Sequence, residues 1–277
     1  MEWFNERRSK SNFSAITVCD YLLLKFKSGY STTHVNTIRS AINFFSASKL
    51  DLENNIFLKR LFKYFYKEKP NRARYLTYWP VDKLLEFLKS WHPLSSLSLK
   101  QITLKTISLI ALSSSDRGQT LHLASVKSMV ILEDRIQFIV REKVKNTRKT
   151  IRPTIINCLS SNIQELNVAQ YVKAYIELTK DFRGEDGQLF ISWASKRPVS
   201  RQTLARWLKT VLDLAGIDTS TFKSHSYRGA GLSKAFQRGA SLHEIVKAGN
   251  WSNPNIFKSY YNAPSCNSEV GALILED

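Results

Sequence analysis

The stretch His225-Ser226-Tyr227-Arg228 is followed 23 residues after Arg228 by Trp251, and then by the pair Tyr260-Tyr261. A helix is expected over 226–238, stopped by Gly239, so His225 and Arg228 stand three apart at a helix start. There both side chains can address one anion, together with the backbone N–H groups that a first turn leaves without helical partners. A phosphate suits that position. In isolation such a pair is more often a capping histidine beside a surface arginine, so its weight depends on the rest of the chain.

Downstream, Ser241-Leu242-His243-Glu244 forms a capping box that opens another helix, and Asn253-Pro254 turns the chain into a final helical stretch holding Tyr260 and Tyr261. Upstream, helices are expected over 166–179 and 201–215, the second capped by Ser200 and ended by Gly216, with a short strand at 189–191 between them. The texture is β-rich at 129–131, 136–140 and 150–152, which fits a three-stranded antiparallel sheet. Before it, Pro80-Val81-Asp82 starts a helix with Leu84, Leu85 and Leu88 inward, and Ser98 starts one that runs to about Leu112. The first 66 residues read as helices: Val18, Leu22 and Phe26 on one, Val35, Ile38, Ile42 and Phe45 on the next, and Leu58, Leu61, Phe62 and Phe65 on a third. The run Phe62, Tyr64, Phe65, Tyr66 reads as core of that bundle. Proline and charge between Lys67 and Arg74 then break the pattern. The chain is therefore expected to be mainly α with a small antiparallel β-sheet (α+β), with a helical domain at 1–68, a basic linker at 69–78 and a second domain at 79–277.

Charge points to the partner. Among 277 residues, 41 Lys and Arg against 23 Asp and Glu give a net charge of +18. Residues 1–75 hold 14 basic and 6 acidic residues and residues 76–277 hold 27 and 17, so both halves are basic and nucleic acid is the leading polyanion. Lys59, Arg60, Lys63, Lys67, Lys69, Arg72 and Arg74 place seven cations in sixteen positions, as expected of an arm that holds phosphates without reading sequence. Lys143, Arg148 and Lys149 form a second basic group around Lys145. Cys19, Cys158 and Cys266 make neither a disulfide framework nor a zinc knuckle. The longest strongly apolar stretches, such as 107–112, are far shorter than a membrane span, and no secretory signal opens the chain, so a soluble intracellular protein with no membrane partner is expected. There is no P-loop pattern and Asp116 is the only acid beside a candidate residue, which sets aside ATP and a two-metal nuclease.

Taken in chain order, the chemistry-bearing residues resemble the signature of the tyrosine recombinases, the integrases and recombinases typified by Cre. That signature is Arg, Lys, His-x-x-Arg, His or Trp, then Tyr. Arg117 follows an apolar helix in Ser113-Ser114-Ser115-Asp116-Arg117-Gly118-Gln119-Thr120-Leu121, Lys145 falls in the turn after the second strand, and His225, Arg228 and Trp251 follow in order. Within the family the chain is similar to recombinases of eukaryotic DIRS-like and Crypton-like mobile elements, through Arg117-Gly118-Gln119-Thr120-Leu121, Ile245-Val246-Lys247-Ala248-Gly249-Asn250-Trp251-Ser252 and Phe257-Lys258-Ser259-Tyr260-Tyr261-Asn262. Bacterial and Cre-like members place the nucleophile nine residues after Trp or His, which is Tyr260; the eukaryotic pattern places it ten after, which is Tyr261. Phe257 and Asn262 favour Tyr261, with Tyr260 as the alternative. A further departure is Gln119-Thr120, where many bacterial members carry an acid near the first arginine.

The resemblance implies a C-shaped clamp on DNA that cleaves and rejoins strands through a covalent 3′-phosphotyrosine. The chemistry of the residues agrees. Arg117 and Arg228 offer forked donors for the nonbridging oxygens and for the charge added in the transition state. A tyrosine, with a solution pKa of about 10, loses its proton as it attacks, with His225 as base or hydrogen-bond partner. Lys145 is a suitable acid for the departing 5′-oxygen, and Trp251 can donate its indole N–H or pack the tyrosine-bearing segment. No cofactor and no metal are then required. The expected partners are double-stranded DNA with inverted half-sites and further copies of the chain: a homodimer on one site and a homotetramer in the synapse. The C-terminal helix around Val270, Leu273 and Ile274 could be exchanged between protomers. The eukaryotic likeness implies a nuclear location. Two other functions remain open, a type IB topoisomerase-like enzyme and a domesticated, non-catalytic DNA-binding protein.

Overall fold

Side-chain caps and apolar spacing account for the helices of the computed structural model, which describes residues 14–45, 51–70, 75, 77–142, 144, 153–184, 187–251, 253–255 and 257. The chain divides into two compact units between Ala73 and Arg74. In the first, α1 (Ala15–Lys27) is capped by Ser14, whose hydroxyl accepts from the Thr17 amide, and α3 (Ile56–Glu68) by Asn55, which accepts from the Phe57 and Leu58 amides. Between them lies α2 (Thr32–Phe45). Val18, Leu22 and Phe26 of α1, Val35 and Ile42 of α2 and Leu58, Phe62 and Phe65 of α3 form one core. The buried Thr32 hydroxyl donates to the carbonyls of Phe65 and Lys69, which fastens the start of α2 to the end of α3.

Two aromatic expectations are corrected here. Phe45 is 59% exposed in the last turn of α2, and Tyr64 and Tyr66 also face solvent, leaving only Phe62 and Phe65 of the aromatic run in the core. Spacing explains it. Positions 58, 62 and 65 share one helical stripe, and 64 and 66 fall to its sides.

The second unit contains α4 (Val81–Ser90), α5 (Leu99–Ser114), α6 (Gly118–His122), β1 (Met129–Ile131), β2 (Arg135–Val140), β3 (Thr154–Leu159), α7 (Val168–Leu178), α8 (Arg201–Leu214), α9 (Ser226–Gln237) and α10 (Leu242–Ala248). The sheet has the order β1-β2-β3 and is antiparallel throughout. Its third strand lies at Thr154–Leu159, later than the expected 150–152, of which no residue is among those described. Alternation sets the faces of this strand: Ile156 and Cys158 point inward opposite Phe138 and Ile136, and Pro153 precedes the strand, where its missing N–H disturbs no pairing. The expected strand at 189–191 reduces to isolated bridges, Ser125 with Gln188 and Ile191 with Pro198. The helical stretch expected to hold Tyr260 and Tyr261 lies outside the described residues.

Helix α5 is the axis of this unit. A capping box of Ser98 and Gln101 starts it, and every residue from Ile102 to Ala111 is buried, as in a helix enclosed on all sides. One of those residues is Lys105, whose ammonium donates to the Trp91 carbonyl at 2.6 Å and the Tyr171 hydroxyl at 2.8 Å. Burial pushes its pKa down from the usual 10.5 to about 8. The folded state therefore releases this proton before the unfolded state does, and the protein gains stability as pH rises from about 8 to 10.5. In Lys105→Met that gain should vanish from urea midpoints measured across the same window. No helix among the described residues is long and apolar enough to cross a membrane.

Candidate active site

Helix α5 ends at Ser115 in a left-handed conformation (φ 54°, ψ 24°), and the chain then presents Arg117 at the residue preceding α6. This turn aims the end of the buried helix at the start of α9. Arg228, in the first turn of α9, is only 3% exposed. Its Nη1 donates to the Ser115 carbonyl at 2.8 Å and its Nη2 to the Gly249 carbonyl. Its guanidinium carbon lies 4.7 Å from the centroid of the Trp251 ring. One arginine thus joins three segments that carry predicted site residues: the Arg117 turn, the His225 helix and the Trp251 turn.

The Trp251 turn is itself held from α10. The Gly249 amide donates to Ile245, the Trp251 amide donates to Val246, and the Trp251 ring packs with Leu232, Ile245 and Phe257 in a small core of its own. His225 precedes α9 with a helix-like backbone (φ −66°, ψ −22°), its side chain exposed and making no cap bond to the first turn. The expected alternative, a capping histidine beside a surface arginine, fits neither residue. Arg117 is half-buried.

Asp116 belongs to the same site. Desolvation pushes its carboxyl up to about 6, opposed by the Ser114 hydroxyl bond and by the charges of Arg228 and Arg117. Below about pH 6 the protonated carboxyl leaves the positive charge of the two arginines uncancelled, and above it the carboxylate offsets part of that charge. Residue order marks Asp116 as the one acid beside a candidate residue; its desolvation is not readable from sequence.

Lys143, Lys145, Arg148, Lys149, Arg72, Arg74, Tyr260 and Tyr261 lie outside the described residues. On α3, Lys59, Lys63 and Lys67 are exposed at intervals of four, with Arg60 beside them, on the face opposite the Leu58, Phe62 and Phe65 core. Lys69 is also exposed, its ammonium 4.7 Å from the centroid of the Phe26 ring. Two groups with no residue-type signature, the Ser115 and Gly249 carbonyls, orient Arg228 and were not readable from sequence.

Solved structures of similar fold include XerH site-specific recombinase bound to palindromic difH substrate in a post-cleavage complex, with TM-score 0.69 and 14% identity over 100% of this chain and 76% of that one. The Tn1549 transposon integrase in complex with transposon right end DNA matches with TM-score 0.58 and 12% identity over 96% of this chain and 85% of that one. A lambda integrase dimer bound to a COC′ core site matches with TM-score 0.55 and 13% identity over 93% and 67%. A search of curated proteins finds no match. The model of the phage integrase family matches residues 74–266, from the start of the second unit through Arg117, His225, Arg228, Trp251 and both tyrosines, and so the chain belongs to that family.

Proposed function

We propose that this chain is a site-specific DNA recombinase that cleaves and rejoins strands through a 3′-phosphotyrosine, with Arg117, Lys145, His225, Arg228, Trp251 and Tyr261 as its working residues. The observation that carries the reading is the Arg228 guanidinium, buried and bonded to the turns that bear Arg117 and Trp251. An arginine fixed in this way is oriented before substrate arrives, which is what transition-state stabilisation by fixed donors requires.

The steps balance without an external reactant. The Tyr261 oxygen attacks phosphorus and its proton passes to His225; a P–O bond to tyrosine forms and the P–O5′ bond breaks, with Lys145 supplying the proton to the departing 5′-oxygen. Arg117 and Arg228 meet the charge that grows on the nonbridging oxygens. Attack by a 5′-hydroxyl of a second strand reverses the sequence and completes the exchange. Four tyrosines serve the four cleavages of two duplexes, so inverted half-sites, a dimer per site and a tetrameric synapse follow from the chemistry. The Arg-Gly-Gln-Thr-Leu and Phe-Lys-Ser-Tyr-Tyr-Asn segments favour a eukaryotic mobile element as the origin and the nucleus as the place of action.

Two plasmids carrying paired sites distinguish this from strand relaxation. Recombinant joints are the expected product; relaxation of supercoils with no joints would favour the topoisomerase-like alternative. The exposed stripe on α3 makes a second prediction. Lys63→Ala should weaken binding alike on all sequences and lower the slope of log K against log salt by about 1, measured by fluorescence anisotropy.

A further inference from the structure

The residues just before α4 pack against the start of α9 at three points, and these points bracket both His225 and Arg228. The Tyr75 hydroxyl accepts from the Lys223 amide at 3.4 Å, two residues before His225. The Trp79 indole Nε1–H donates to the Ser226 hydroxyl at 2.8 Å, one residue after it, in a fully buried bond. The Tyr78 ring covers Gly229, one residue after Arg228, so closely that a Cβ there would fall 2.1 Å from the ring. Trp79 also meets the Tyr227 ring edge to face at 5.5 Å, and Tyr75 meets Phe222 at 5.4 Å. Tyr227 is in turn fixed from the other side, its hydroxyl donating to the Leu208 carbonyl at 3.2 Å.

We propose that Tyr75, Tyr78 and Trp79 form an aromatic strap that positions the first turn of α9, and that Trp79 is a positioning residue for His225 and Arg228. The segment before α4 needs no such hold merely to join the core, since Trp79 is already enclosed by apolar neighbours of the main cluster. The indole N–H adds direction: it fixes Ser226, and hence the rotation of the turn on which the exposed His225 and the buried Arg228 are set. Small rotations matter because a displacement of about 1 Å at a reacting group costs on the order of a hundredfold in rate. The kinetic consequence rests on the recombinase reading, and the placement of His225 on geometry alone.

The test compares wild type, Trp79→Phe, Ser226→Ala and the double variant. Trp79→Phe keeps an aromatic ring and removes the N–H; Ser226→Ala removes the acceptor from the other side. Thermal unfolding verifies that each variant is folded. At saturating DNA, each single variant should form the covalent adduct about tenfold more slowly or worse, with unchanged affinity, and the double variant should be no slower than the singles. The His225 imidazole resonances in NMR spectra of the DNA-free protein should move in Trp79→Phe. Folded variants with wild-type adduct rates, or effects that multiply in the double variant, would overturn the strap. Absence of an adduct from the wild type would instead overturn the recombinase reading, and the His225 resonances would then decide the strap: unmoved, they refute it.

Discussion

Arg228→Ala should lower single-turnover strand cleavage by about 10²- to 10³-fold, the usual cost of losing one fixed donor at a site of growing negative charge. The loss has a second component. With the guanidinium gone, the Ser115 and Gly249 carbonyls lose a charged donor, and the Trp251 ring loses the cation lying against it. Leaving such buried acceptors unmet costs about 1 to 3 kcal/mol, so the urea midpoint should fall together with the rate. Arg228→Lys separates the two components. An ammonium keeps the positive charge but has no planar fork to span two carbonyls on different segments. Its rate should therefore stay close to that of the alanine variant, with part of the stability restored. A lysine variant at wild-type rate would mean that charge alone suffices and that the held geometry is irrelevant.

Gly229→Ala and Gly231→Ala should each destabilise the protein by about 1 to 3 kcal/mol through overpacking, against the roughly 1 kcal/mol gain that helix propensity alone would give. The sign is informative because both glycines lie inside α9, where alanine is otherwise favoured. At Gly231 a Cβ would stand 2.8 Å from the Leu112 carbonyl oxygen, which is backbone and cannot swing aside; at Gly229 it would meet the Tyr78 ring. These close approaches let α9 lie against the end of α5 and beneath the aromatic strap, which brings Arg228 within reach of Ser115. Gly118→Ala supplies the control, since a Cβ there meets nothing within 4 Å. Denaturant unfolding should rank Gly118→Ala near wild type and the other two well below it. A stabilised Gly231→Ala would contradict the packing described.

Much of this molecule is legible from residue order. The capping boxes at Ser98 and Ser241 and the cap at Ser200 announce their helices directly, because an N-cap oxygen and a first-turn amide are local partners. Gly239, at φ 94°, announces the end of α9 in a similarly local way. What holds Arg228 is another matter. Its partners are main-chain carbonyls, and any residue type can supply a carbonyl. The strap is hidden differently: Trp79 and Ser226 are 147 positions apart, and neither residue type alone suggests the pairing. The extent of the third strand is not legible locally, because the β-rich texture of 154–159 becomes a strand by pairing with β2, a long-range interaction. At Tyr64 and Tyr66, helical phase rather than aromatic density decides burial, and both face solvent.

Covalent trapping reads out the tyrosine chemistry itself. The protein is incubated with a broad library of nicked duplexes, SDS-resistant adducts are recovered, and the modified peptide is identified by mass spectrometry, with Tyr261→Phe and Tyr260→Phe in parallel. The expected result is a DNA adduct on Tyr261 that persists in Tyr260→Phe and disappears in Tyr261→Phe. An adduct on Tyr260 would preserve the chemistry and move the nucleophile by one residue. Absence of any adduct from wild type, under conditions where binding to the same library is measured, would contradict the phosphotyrosine mechanism and leave a protein that binds DNA without cutting it.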